Sequence, residues 1–324
     1  MRPVRARLGG LRRLLISPDG LLNVVPFAAL VDEENRYLAE QYVISYLTSG
    51  RDLLRLQIPR KSQTAPVVLA DPTFGEPAFL APDAGSSLPQ NRLDTSQMFF
   101  GPLPGVSGEV RALRTLLPGA SFLTKDRATK AALMDVKGPR ILHVATHGFF
   151  LRDVEREGDE PRSPTTGADQ LRLATTTATY VDNPLLRSGL ALAGANVGAG
   201  RSTDGVLTAL EAADLDLWGT QLVVLSACDT GVGEIRNSEG VYGLRRAFVL
   251  AGSESQMMSL WPVSDAGTRD LIVGYYESLL RGAGRSDALR LVQLKMLRSP
   301  ARAHPYYWAS FILSGQWASL DRQP

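Results

Sequence analysis

Cysteine is nearly missing from this chain: Cys228 stands alone among 324 residues. A single thiol excludes an internal disulfide and any metal site built from several thiolates. Histidine is almost as scarce, at three residues. Charge excess is lacking too, since 35 basic and 33 acidic side chains leave a formal +2. That is too near neutral for direct nucleic-acid binding or for attraction to an anionic membrane surface. No stretch of eighteen uninterrupted apolar residues occurs. The basic start, "MRPVRARLGGLRRLLISPDG", is interrupted by Arg12, Arg13, Pro18 and Asp19, so it reads as neither signal peptide nor membrane span. A cytoplasmic protein is the expectation. No helical repeat of about 34 residues recurs. What remains is an ordinary globular balance, 44% hydrophobic and 21% charged, with length for one large domain or two smaller ones.

Residues 1–65 read as a β-rich N-terminal segment, with "RLLIS" as a first strand. From residue 66 to 324 a different rhythm holds, with short apolar strands ("PVVLADP", "ASFLTKD", "RILHVATHG", "SGLALAGAN", "TQLVVLSAC", "ESQMMSLWPV", "YYWASFILSG") alternating with helices. One helix is expected to start at Ser107 as its cap, and another, "DGVLTALEAADL", at Asp204. The Pro- and Gly-rich stretch 72–105 reads as a surface loop, and 151–182 as a long exposed one. Alternation of this kind implies an α/β fold with a largely parallel sheet covered by helices on both faces. Functional groups in such sheets gather at the carboxyl ends of strands, where "ILHVATHG" places His147 and "LVVLSACDTG" places Cys228.

A thiolate is a nucleophile when a base stands beside it, and imidazole is suited to that task near neutral pH. Small residues around Cys228 (Ser226, Ala227, Thr230, Gly231) leave room for a turn and a substrate, and Gly148 would offer a backbone N–H to a developing oxyanion. Alone, Cys228 could equally be a small core hydrophobe and His147 a satisfied structural histidine. Two matched strand ends weigh toward one site. His143 and His147 have the spacing of helical metal ligands, but on a strand they stand roughly 13 Å apart, which excludes a shared ion. His143 is expected to pack within the sheet, and His304 precedes a proline with no supporting pattern. A phosphatase loop would need arginine where Glu234 stands; papain-like order is reversed; no G-x-S-x-G elbow or P-loop lysine occurs. No residue cluster calls for a metal or cofactor.

The segments "LHVATHGFF", "NPLLRSGLALAGAN", "GVLTALEAADLDLWGTQLVVLSACDTGVGE", "EGVYGLRRAFVLAG", "SLWPVSD" and "PYYWASFILSGQW", with "ISPDGLLNVVPFAAL" near the start, resemble the CHAT domain family over roughly residues 11–318. These are caspase- and separase-like domains commonly found beside tetratricopeptide repeats. The resemblance implies a caspase-like three-layer fold and a cysteine endopeptidase whose His147–Cys228 dyad cuts a protein or peptide substrate without a cofactor. Backbone N–H groups of Gly148 and Cys228 would hold the oxyanion. Asp229 and Asp265 are candidates to line a pocket for a basic side chain, though each could instead cap a turn or helix. Ser259 and Trp261 are candidates to pair with an extended substrate. Arg152, Arg156, Arg162 and Arg172 make 151–182 a candidate for self-cleavage or for a gate over the cleft, with a variable insertion of no role as the alternative. The family's company further implies regulation by a repeat-containing segment or protein in bacterial signalling or defence. A catalytically silent caspase-like interaction scaffold is the alternative.

Overall fold

The computed structural model describes residues 2–58, 60–76, 98–150, 184–197, 205–226, 238–261 and 263–320. Eleven strands are found among them: β1 (Arg13–Ile16), β2 (Val43–Tyr46), β3 (Val67–Pro72), β4 (Ser121–Lys125), β5 (Ile141–Ala145), β6 (Gly148–Phe150), β7 (Ser188–Ala191), β8 (Val206–Thr208), β9 (Leu222–Leu225), β10 (Ser255–Ser259) and β11 (Phe311–Gly315). The helices are α1 (Arg2–Leu8), α2 (Leu38–Gln41), α3 (Asp52–Arg55), α4 (Val106–Leu116), α5 (Lys130–Met134), α6 (Ala209–Ala212), α7 (Ser238–Leu250), α8 (Asp265–Leu280), α9 (Arg285–Leu297) and α10 (Pro305–Trp308).

Eight strands form one sheet in the order β1-β2-β11-β10-β9-β5-β3-β4, and β6-β7-β8 form a small antiparallel sheet. Every neighbouring pair in the large sheet is parallel except β10–β11. That one seam divides it into five strands running one way and three running the other. The central strands are apolar at every position or nearly so because both faces are covered: β5 and β9 are buried throughout. Alternate residues sort by face. Ile141, Ala145, Leu222 and Val224 join α4, α8 and α9 on one side, while Leu142, Val144, Val223 and Leu225 join α5, α6 and α7 on the other. The result is the mostly parallel α/β three-layer fold expected from the alternation of elements.

Several local expectations are corrected. Ser107 lies inside the first turn of α4, whose cap position is Gly105, and its hydroxyl donates to Asp71 instead. The helix expected from Asp204 is strand β8 followed by α6, capped by Thr208 with Glu211 reaching back to the Thr208 N–H; Asp204 is outside the described residues. "YYWASFILSG" is not one strand, because Pro305 opens α10 behind the capping side chain of His304. Nor is 72–105 a surface loop throughout, since Phe74, Met98 and Phe100 are buried in a small core with Phe149, Ala191 and Val206. The 151–182 loop falls outside the described residues. By contrast Gly282, at φ +91°, ends α8 as expected: its N–H bonds the Leu279 carbonyl and Ala283 N–H bonds that of Ser278.

Candidate functional site

Strands β5 and β9 are direct parallel neighbours, in register from Ile141 against Leu222 to Val144 against Leu225. Every pair is offset by 81 positions, and Ser226 N–H continues the ladder to the Val144 carbonyl at 2.9 Å. His147 follows β5 by two residues and is buried, with 5% exposure. Cys228 and Asp229 lie outside the described residues.

The imidazole of His147 is held from three sides by the segment that precedes α4 and by the end of β3. Its ring centroid is 5.1 Å from that of Phe74 and 5.8 Å from that of Phe100. Its Nε2 is 2.7 Å from the carbonyl oxygen of Gly101. A carbonyl only accepts, so the Nε2 hydrogen donates and Nδ1 is the basic nitrogen of the neutral ring. Phe74, Phe100 and Gly101 were invisible in the sequence reading; the aromatic pair in "MFFGPL", unusual in a polar Pro- and Gly-rich stretch, was the available signal.

Gly148 begins β6, opposite Leu190 of β7. Ala191 N–H donates to the His147 carbonyl at 2.9 Å, which makes 147 and 191 a hydrogen-bonded pair and the next pair, Gly148 with Leu190, a non-bonded one. The Gly148 N–H therefore points away from β7, on the outer edge of the small sheet.

Beneath these strand ends runs a buried polar chain. His143 packs within the sheet, as expected, and is fully buried. Its Nδ1 is 3.1 Å from the Tyr276 hydroxyl, and its Nε2 is 2.8 Å from Glu109 Oε1, a close contact set off the axis of an aligned hydrogen bond. The other oxygen of Glu109 accepts from Ser226 Oγ at 3.1 Å. Burial pushes the Tyr276 phenol well above its ordinary pKa, so it stays a hydroxyl. Glu109, Tyr276 and Ser226 thus tie α4, α8 and the end of β9 to β5. Glu109 sits in an amphipathic helix among other charges and gave no sequence signal of burial.

A cavity of about 220 Å³ opens above this chain, lined by Leu103, Val106, Glu109, Thr146, Ser226 and Asp265, among others. Asp265 is the first residue of α8; Ser264 is the cap, and the Asp265 carboxylate accepts the Gly105 N–H at 2.9 Å. It therefore both fixes the start of α4 and faces the cavity. Ser259 ends β10 with its hydroxyl on the Trp261 carbonyl at 2.7 Å. On the β11 side Ser259 is already paired with Phe311, whereas the pairing with β9 stops at Met258. Trp261 is half-buried, its indole N–H 3.3 Å from the Tyr306 carbonyl. Among the described residues there is no cluster of three or more His, Cys, Asp or Glu able to hold a metal ion, and no helix long and apolar enough to cross a membrane.

The CHAT domain, as a family, matches residues 1–316. Tetratricopeptide repeat protein 28 of Homo sapiens is 29% identical over 331 residues, and its Mus musculus counterpart 28%. The alignments take in 97% of this chain, which spans 12% of the length of either relative. Among solved structures, one from the Saccharomyces cerevisiae separase–securin complex superposes with a TM-score of 0.46 at 11% identity, over 90% of this chain and 14% of that one. The Arg-specific cysteine proteinase gingipain R gives 0.49 at 8% identity, over 98% of this chain and 66% of that one.

Proposed function

The chain belongs to the CHAT domain family, and on that premise we propose that it is a cysteine endopeptidase in which His147 and Cys228 act as a dyad on a protein or peptide substrate. The observation that carries the reading is the register of the two strands: the offset of 81 that pairs Ile141 with Leu222 is also the separation of His147 from Cys228. The tautomer of His147 adds to it. With Nε2–H donating to Gly101, Nδ1 is the atom that takes the thiol proton, and the two phenyl rings pack at a tilt against the imidazole and fix its position.

In the proposed reaction His147 Nδ1 accepts the proton of Cys228, and the thiolate sulfur attacks the scissile carbonyl carbon. The oxyanion is held by the N–H groups of Gly148 and Cys228. Collapse breaks the C–N bond, and His147 returns its proton to the leaving amine. Water, deprotonated by His147, then attacks the thioester and releases the acid and the free thiol. An extended substrate adds beside Ser259–Trp261, on the side where the pairing with β9 has ended. Asp265 and Asp229 favour a basic side chain next to the cleaved bond. The activity is the output of a larger regulated assembly, with a repeat-containing segment or protein as its controller.

The test is covalent labelling of the full chain by a thiol-reactive peptide probe with a basic residue next to its electrophile. Labelling lost in both Cys228→Ala and His147→Ala, with the fold intact by circular dichroism, supports the peptidase. Labelling of Cys228 that is indifferent to His147, or none even with a repeat-containing partner added, favours a silent scaffold.

A further inference from the structure

The antiparallel seam gives the large sheet carboxyl ends on both edges. β5, β9 and β10 end on the side that carries His147, whereas β2 and β11 end on the opposite side. In open α/β sheets ligands bind outside carboxyl ends, where strand direction or order changes. At this second edge, beside the starts of β9 and β10, lies a cavity of about 710 Å³, within the range of small-molecule sites. Leu53, Leu56 and Ile58, from the chain that follows β2, form an apolar wall with Trp317 and Leu320, from the chain that follows β11.

The charges in this cavity do not balance. Among the described residues, Arg60, Lys61 and Arg285 line it against one carboxylate, Glu254. Arg285 is 2% exposed, and its Nη2 donates to Glu254 at 3.1 Å. Its Nε and Nη1 are buried with no hydrogen-bond partner among the described residues. Arg60 spends Nη1 on the Gly252 carbonyl, stacks 3.8 Å over the Trp218 ring, and leaves Nε buried with no hydrogen-bond partner among the described residues. Arg55, just behind, donates to the Ser253 carbonyl at 2.8 Å, keeps its Nε 3.7 Å from the Asp52 carboxylate, and leaves Nη2 buried with no hydrogen-bond partner among the described residues. Burial lowers the pKa of both Arg285 and Arg60, and it raises that of Glu254 despite the nearby Arg285, Arg60 and Arg55. Guanidiniums withdrawn from water with so little counter-charge are costly unless an anion completes the site.

We propose that this cavity binds a small phosphate-bearing ligand of nucleotide size. Its phosphates meet Arg60, Lys61 and the field of Arg285, and its ring lies on the wall of Leu53, Leu56, Ile58 and Trp317. More than one negative charge is needed against three cations, and planar guanidiniums suit phosphate oxygens. A concave volume with an apolar wall fits a small molecule, whereas a polymer would need an exposed basic stripe. The site is independent of the His147–Cys228 reading.

The experiment is titration of the full chain with ATP, AMP, pyrophosphate and adenosine, followed by calorimetry and by tryptophan fluorescence, for which Trp317 and Trp218 are local reporters. ATP and AMP should bind saturably and weaken with salt, and adenosine should bind about tenfold more weakly or worse. Arg60→Gln combined with Lys61→Gln, both at the half-open mouth, should weaken ATP by about tenfold or more while circular dichroism shows the fold intact. Leu56→Asp should weaken AMP more than pyrophosphate. No saturable binding of any phosphate probe, binding unchanged by the double substitution, or preference for an acidic peptide over all four probes would overturn the proposal.

Discussion

Removing the carboxylate of Glu109 should reveal how tightly the ends of β5 and β9 are bound to each other. Glu109 is 2% exposed and has two neighbours that depend on it, Ser226 Oγ at 3.1 Å and His143 Nε2 at 2.8 Å. A hydrogen bond contributes about 0.5–1.5 kcal/mol, and each buried group left without a partner costs about 1–3 kcal/mol. Some of this is regained as the site relaxes, so Glu109→Ala should destabilise by roughly 2–4 kcal/mol. Ser226→Ala, which removes a single bond, should cost about 1.5 kcal/mol. The discriminating measurement is a double-mutant cycle with His143→Ala in urea, read from midpoints at constant m-value. Because the second loss strikes a partner already orphaned, Glu109→Ala/His143→Ala should fall short of additivity by about 1–3 kcal/mol. Additivity within about 0.5 kcal/mol would refute the coupling. Cys228 labelling should also slow in Ser226→Ala while the protein remains folded.

Three further outcomes follow from other places in the structure. Gly219→Ala should destabilise by more than about 2 kcal/mol, measured by thermal melting, because φ is +90° and a Cβ would sit 2.2 Å from the Lys61 carbonyl oxygen. Phe100→Leu should cost less than about 1.5 kcal/mol in urea unfolding, yet slow Cys228 labelling by freeing the His147 ring. Glu211 caps α6 and holds Lys130 at 2.6 Å; burial alone would raise its pKa, but the bonds from Lys130 and Thr208 leave it lowered. Its stabilisation is therefore complete above the ordinary carboxylate range and is lost as pH falls through the depressed value. Glu211→Gln should cost about 1 kcal/mol at neutral pH, with the gap to the parent closing on acidification.

How much of this could be read beforehand depended on whether the signal was local. β5 and β9 were legible because strands buried on both faces are short continuous apolar runs, and α8 and α9 because their buried positions recur at helical spacing. The start of α6 was misplaced although "TALE" is a capping box, since the apolar "VLT" before it continued the same pattern. The site divides in the same way. A histidine and a glycine after a strand announce themselves. Phe74 and Phe100 do not, being brought to His147 from a stretch whose prolines and glycines suggested exposure. Nothing in "SGEVRALRTLL" distinguishes buried Glu109 from a solvated acid, because what buries it is α8 crossing from far along the chain.

The small sheet has a consequence for how any cut between its first two strands would look. Phe150 and Ser188 are register partners, so the chain leaves and returns at adjacent points. Scission of a bond between them would yield an N-terminal fragment holding β1–β6 and a C-terminal one holding β7–β11. In the large sheet these fragments interleave: two strands of the first, three of the second, then three of the first again. Such pieces are laced together and would travel as one particle through a sizing column. Only boiling in detergent would reveal that the polypeptide had been nicked.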